Sequence, residues 1–271
     1  MRTNDLYYIK SPTERVFLVE KLSALTYVLD CATVGLAIES ANTVGYNTTS
    51  VAADSWYMVA TQFKGVGQTT DVMPVNQLCG VSGIDAVTFA NRNNGLQIQV
   101  YNGTGYTIYY YISDATGATG PVWANTRRPV ADTVTIPLGS AFWLKTPATV
   151  GADASVTVAG EVKTDAKTKT IDVGASEWTQ VANPFPTDLT IEMITTTGLT
   201  PATFATRNSG PQIQVYNGSG YTIYYYISDA TGATGPVWAN TRRPSTGKIA
   251  NAGQGFWVKS SSAGSLTFTM D

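Results

Sequence analysis

Period-two alternation of apolar and polar residues dominates the middle of the chain. Leu96-Gln-Ile-Gln-Val-Tyr101 and Tyr106-Thr-Ile-Tyr-Tyr-Tyr-Ile-Ser113 both alternate, and residues two apart share one face of a strand. Asn102-Gly-Thr-Gly105, between them, is a hairpin signal. Burial of the aliphatic set selects the register. A three-residue loop with Gly105 left-handed puts Ile98 and Val100 on the core face with Tyr106, Ile108, Tyr110 and Ile112. The opposite face then carries Gln97, Gln99, Tyr101, Thr107, Tyr109 and Tyr111. The same pattern recurs downstream, with Gln212, Gln214, Tyr216, Thr222, Tyr224 and Tyr226 facing outward.

Further short alternating runs follow at regular spacing. Asp114-Ala-Thr-Gly-Ala-Thr-Gly-Pro121 reads as a loop, then come Val122-Trp123, the turn Asn125-Thr-Arg-Arg-Pro129, a Phe-Trp-x-Lys strand and a closing Thr-rich strand. Many short strands separated by turn signals predict an all-β fold, a sandwich or a barrel, with little helix outside the N-terminal segment.

That segment has a different pattern. Leu22 to Ala37 is an apolar run preceded by Lys21 and closed by the small residues Gly35 and Ala37. It predicts a signal or leader segment over residues 1–37, with the mature chain beginning near Ile38. Asp30 interrupts the run, which leaves an amphipathic helix packed on the body as the alternative. No other apolar run is long enough to span a membrane.

The alternation is duplicated. Phe89 to Pro129 matches Phe204 to Pro244 except at Asn91/Thr206, Asn94/Ser209, Leu96/Pro211 and Thr104/Ser219. All six tryptophans pair across the two copies: Trp56 with Trp178, Trp123 with Trp238, Trp143 with Trp257. A shared tryptophan framework predicts the same core twice, in tandem sandwich-like modules at 45–162 and 167–271. The polar stretch Lys163–Lys169 serves as the linker.

Composition narrows the chemistry. Charged residues are 13% of the 271, and the formal net charge is −2. Such a chain has no basic field for nucleic acid. It also has no histidine, which removes the commonest general base and every Ser-His or Cys-His nucleophile pair. Cys31 and Cys79 are too few for a four-thiol metal site, and they can pair only if residue 31 is retained. Asp114 and Asp229 have no acidic partner in the repeated segment, so they read as loop aspartates rather than hydrolytic acids. Neither an enzyme nor a cofactor is expected.

Several motifs follow one order: Trp178-Thr-Gln-Val-Ala-Asn-Pro-Phe185, Ile213-Gln-Val-Tyr-Asn-Gly-Ser-Gly-Tyr221, Gly253-Gln-Gly-Phe-Trp-Val-Lys259 and Leu266-Thr-Phe-Thr269. This order resembles a module of bacterial secreted and surface proteins. The resemblance implies a non-catalytic β-sandwich outside the cell. Repeat one departs from it at Ala60-Thr-Gln-Phe63, which lacks Asn-Pro, and at Ser140-Ala-Phe142, which lacks the second glycine.

Two functions fit these observations. The first is a structural or interaction protein whose partners are other envelope or extracellular proteins, or further copies of itself. The second is a carbohydrate-binding pair using the outer face at Gln97, Gln99, Tyr101, Tyr109 and Tyr111, with Gln212, Gln214, Tyr216, Tyr224 and Tyr226. Tyrosine rings stack on sugars and glutamine amides bond their hydroxyls.

Overall fold

A computed structural model describes residues 6–10, 16–22, 26–30, 43–78, 80–163 and 168–270, the first three spans as backbone only. Cys31, Cys79, the cleavage point before Ile38 and linker residues 164–167 lie outside the described residues. The chain divides into two compact units, Met1–Asn42 and Thr43–Asp271.

In the first unit, β1 (Leu6–Lys10), β2 (Val16–Leu22) and β3 (Thr26–Asp30) form an antiparallel meander. Leu18 stands opposite Asp30, and Leu6 opposite Glu20. The amphipathic-helix alternative is therefore corrected where the backbone is described. Val16-Phe-Leu-Val19 and Thr26-Tyr-Val28 are rich in β-branched and aromatic residues, which fit a pleated strand better than a helix. Among the described residues, no helix is long and apolar enough to cross a membrane.

The second unit is all-β, as the alternation predicts. Repeat one contributes β4 (Val44–Ser50), β5 (Trp56–Ala60), β6 (Val72–Pro74), β7 (Gly80–Ser82), β8 (Gln97–Tyr101), β9 (Tyr106–Ile112), β10 (Val122–Ala124), β11 (Thr135–Pro137), β12 (Ala141–Lys145) and β13 (Ser155–Glu161). Repeat two follows with β14 (Thr168–Val173), β15 (Trp178–Ala182), β16 (Leu189–Thr190), β17 (Ile194–Thr197), β18 (Gln212–Tyr216), β19 (Tyr221–Ile227), β20 (Val237–Ala239), β21 (Lys248–Ala250), β22 (Gly255–Lys259) and β23 (Gly264–Thr269). The two sets correspond strand for strand. Each builds a five-stranded sheet (β10-β9-β8-β12-β5 and β20-β19-β18-β22-β15), a three-stranded sheet (β4-β13-β7 and β14-β23-β17) and a two-stranded ribbon (β6 with β11, β16 with β21).

Each repeat has its own core. In repeat one, Ile98, Phe142 and Leu144 from the five-stranded sheet meet Val156 and Val158 from the three-stranded sheet. In repeat two, Ile213, Phe256 and Val258 meet Leu266 and Phe268. The first and last strands of each repeat pair with one another, β4 with β13 and β14 with β23. At the linker, the ammonium groups of Lys163 and Lys169 both close on Asp71, at 2.9 and 3.0 Å.

The hairpin register differs from the expected one. Tyr101 pairs with Tyr106 and Ile98 with Tyr109, so four residues, not three, separate the paired ends. Asn102 causes this. Its side-chain oxygen accepts from the backbone N–H groups of Thr104 (3.2 Å) and Gly105 (2.9 Å), an Asx turn that fixes the loop length. The left-handed residue is Gly103, φ 96°, and not Gly105. A change of one residue in the loop moves every side chain of β9 to the other face. Ile98 and Val100 face the core as expected, but Tyr109 and Tyr111 face it too, while Tyr106, Ile108, Tyr110 and Ile112 point away. Burial misled the register because both faces of this sheet are covered. Ile112 is fully buried on the far face, in a small cluster with Ala115 and Ala124. Repeat two shows the same register, Ile213 opposite Tyr224.

Candidate functional site

The sheet faces turned away from the two cores meet one another. Met58, Ala60, Ala141, Trp143 and Ala182 form a buried cluster, with Tyr216 and Trp257 packed against it. The contacts across this seam are reciprocal. The N–H of Ala60 donates to the carbonyl of Gly253 (2.8 Å), and that of Ala182 donates to Gly139 (2.7 Å). Val59 bridges Gln254, and Val181 bridges Ser140. Tyr101 sets its ring edge-on to Trp257 at 5.5 Å, and Tyr216 does the same to Trp143 at 5.5 Å. Equivalent residues exchange places in every pair, which defines a local two-fold relation between the repeats.

Beside the seam lies a groove of about 290 Å³ lined by Trp56, Gln99, Tyr106, Trp143 and Tyr216. Trp56 is also part of the wall of an adjoining groove of about 440 Å³, shared with Tyr216, Asn217 and Gly253. Strand alternation explains the lining. In Phe142-Trp143, the phenylalanine takes the core and the tryptophan must take the other face. Trp56 stands perpendicular to Trp143, ring centres 6.1 Å apart, and is 39% exposed. Trp178 stands against Trp257 at 6.0 Å and is 37% exposed. The ammonium of Lys145 lies 5.9 Å from the Trp56 ring centre, and that of Lys259 the same distance from Trp178. Burial pushes the phenols of Tyr106 and Tyr221 up, partly offset by the neighbouring indoles of Trp143 and Trp257.

The outer-face residues expected from sequence divide into two groups. Gln99 and Tyr101 sit at the seam face, as do Gln214 and Tyr216. Gln97 is on that face but buried, its amide donating to the carbonyl of Asn93 (2.8 Å). Gln212 donates likewise to Asn208 (2.9 Å). Gln99 donates its amide to Gln97 at 3.2 Å, and Gln214 donates to Gln212 at 2.9 Å. With the amide so engaged, Gln99 offers a ligand its carbonyl oxygen. Tyr109, Tyr111, Tyr224 and Tyr226 are corrected. Tyr109 (6% exposed) and Tyr224 (9%) are core residues whose phenols burial pushes up. Tyr111 and Tyr226 pack on core Trp123 and Trp238, at 5.5 and 5.2 Å.

The tryptophan framework is corrected as well. Only Trp123 and Trp238 belong to the repeat cores; the other four line the seam face. Reading Phe-Trp-x-Lys with strict alternation would have found Trp143, Trp257 and their lysines.

Asp114 is structural. Its carboxylate accepts from the N–H of Phe89 at 2.6 Å and pairs with Arg127 at 3.1 Å, so that backbone bond first and the arginine second hold it below the usual range. Among the described residues, no three His, Cys, Asp or Glu side chains gather as a metal site. No family model, curated protein or solved structure matches the chain. What fold and site define is an all-β tandem repeat with an aromatic groove at its internal seam and an equivalent set of aromatic residues, Trp178, Trp257 and Tyr101, across the two-fold relation.

Proposed function

We propose that this is a non-catalytic binding protein of the cell exterior, secreted or surface-displayed, and that its grooves hold carbohydrate. The observation that carries this reading is the half-exposed Trp56 standing perpendicular to Trp143, with Gln99 and Tyr106 beside it, and the counterpart at Trp178. A flat indole face, a carbonyl acceptor and a phenol hydroxyl are what a pyranose ring needs for stacking and orientation. The absence of histidine from the sequence supports a binding role over acid–base chemistry. A core fed by both the five- and the three-stranded sheet supports reading each repeat as sandwich-like, in line with the resemblance to bacterial surface modules.

Electrophoresis through gels containing soluble polysaccharides tests this. Wild-type protein should be retarded by at least one sugar polymer, and Trp56→Ala combined with Trp178→Ala should run freely. Equal retardation of that variant, or no retardation by any polymer, contradicts the reading. In the second case, capture of an envelope protein or self-assembly through the same aromatic face would be the function instead.

A further inference from the structure

The described lysines of the second unit separate into two groups. Lys64, Lys163, Lys169 and Lys248 each pair with a carboxylate. Among the described residues, no ion pair closes on Lys145 or Lys259, which stand at equivalent distances from the exposed tryptophans, although the Lys259 ammonium also donates to the carbonyl of Asn208 at 3.1 Å. Asp54 and Glu177, near those tryptophans in sequence, do not come within ion-pair distance of either lysine. The residues lining the groove include no carboxylate. An exposed indole with an ammonium 5.9 Å from its ring centre is complementary to a sugar that carries a negative charge.

The two-fold relation adds a constraint. A polysaccharide chain has direction, one end reducing and the other not. The operation that carries Trp56 and Trp143 onto Trp178 and Trp257 reverses any straight chain laid across both pairs. A single straight chain therefore cannot meet both pairs in the same sense.

We infer that each tryptophan pair takes one carboxylate-bearing pyranose of an acidic polysaccharide, and that the two pairs cross-bridge two such chains. This rests on the carbohydrate reading above and adds charge and valency to it. The test uses the full chain. Titration calorimetry with trigalacturonate should give two sites per chain, and polygalacturonate should raise light scattering sharply. Lys145→Met with Lys259→Met should weaken binding about five-fold while leaving the thermal midpoint unchanged. Trp56→Ala alone should leave one site and abolish the scattering. Equal binding of a neutral mixed-linkage β-glucan, with no effect of the lysine changes, overturns the acidic specificity but leaves the carbohydrate reading intact. Equal binding of polyglutamate overturns it too, because charge alone would then suffice. Two sites without scattering overturn the cross-bridge. If polygalacturonate does not bind while another polymer retards the protein in the gels, the acidic specificity is overturned and the carbohydrate reading stands; if no polymer does, the carbohydrate reading itself has failed.

Discussion

Repeat one meets the seam with Met58, Gln62 and Ala141; repeat two meets it with Gln180, Pro184 and Gly255. The strand orders are the same and the central segments almost identical, yet these seam positions differ. A two-fold contact places small residues against their own equivalents, here Ala141 against Gly255. A side chain on Gly255 would collide with the Cβ of Ala141, so two alanines would clash. One alanine and one glycine fill the space once. The same asymmetry governs the polar groups. The Gln180 amide lies between the Ala141 carbonyl (3.3 Å) and the Trp143 indole nitrogen (3.1 Å), where repeat one has Met58. Gln62 crosses to donate to the carbonyl of Phe185 at 2.7 Å. Two copies in one chain can complement each other with different residues at equivalent positions, which two identical subunits cannot do.

The largest effects should come from the cores and should be equal in both repeats. Phe142→Ala and Phe256→Ala each remove a fully buried ring and should each cost about 3–5 kcal/mol in urea denaturation. A difference between them beyond about 2 kcal/mol would break the equivalence of the cores.

Seam substitutions should instead be unequal. Gly255→Ala should cost about 1–3 kcal/mol through crowding. Adding Ala141→Gly to it should recover most of that loss, because the two positions share one space. Additive losses in that double-mutant cycle would refute the packing described. Gln180→Met removes one partner of the Trp143 indole and should cost about 1 kcal/mol, whereas Met58→Gln should add nothing comparable.

The smallest effect is electrostatic. Asp71 is held below its ordinary value of 3.8, by Lys163 first, then Lys169, against some burial. A carboxyl depressed in the folded state adds stability above its ordinary pKa and loses it as pH falls through the lower folded value. Acid titration should therefore show Asp71→Asn losing less stability below about pH 4 than wild type. Identical acid profiles would mean that the linker clamp contributes nothing.

Much of the fold could be read from sequence. The alternation located β8 and β9 almost to the residue, and the repeat gave the correspondence of strands. What could not be read was which face is which. A sheet with one wet face announces its register through polarity, but β9 is covered on both sides, and Tyr109 and Tyr110 carry the same side chain to opposite environments. The loop length decided the matter through the Asn102 side chain, a local bond that hydrophobic alternation does not encode. The grooves escaped for a related reason. Pairing of the tryptophans was visible, but an aromatic framework shared by both repeats suggests a core, and only the neighbouring Phe142 and Phe256 reveal that Trp143 and Trp257 must turn away from it.

The central claim is that the groove at Trp56 is composite: Trp56, Gln99, Tyr106 and Trp143 come from repeat one, and Tyr216 is supplied by repeat two, as Tyr101 of repeat one is supplied to Trp257. Fluorine NMR of protein labelled with 5-fluorotryptophan tests this directly. The six tryptophans give six assignable signals. Tyr216→Ala, in repeat two, should move the signals of Trp143 and Trp56 in repeat one most, and Tyr101→Ala should move those of Trp257 and Trp178. If each tyrosine substitution instead moved chiefly the tryptophans of its own repeat, the seam and the groove would be wrong as described.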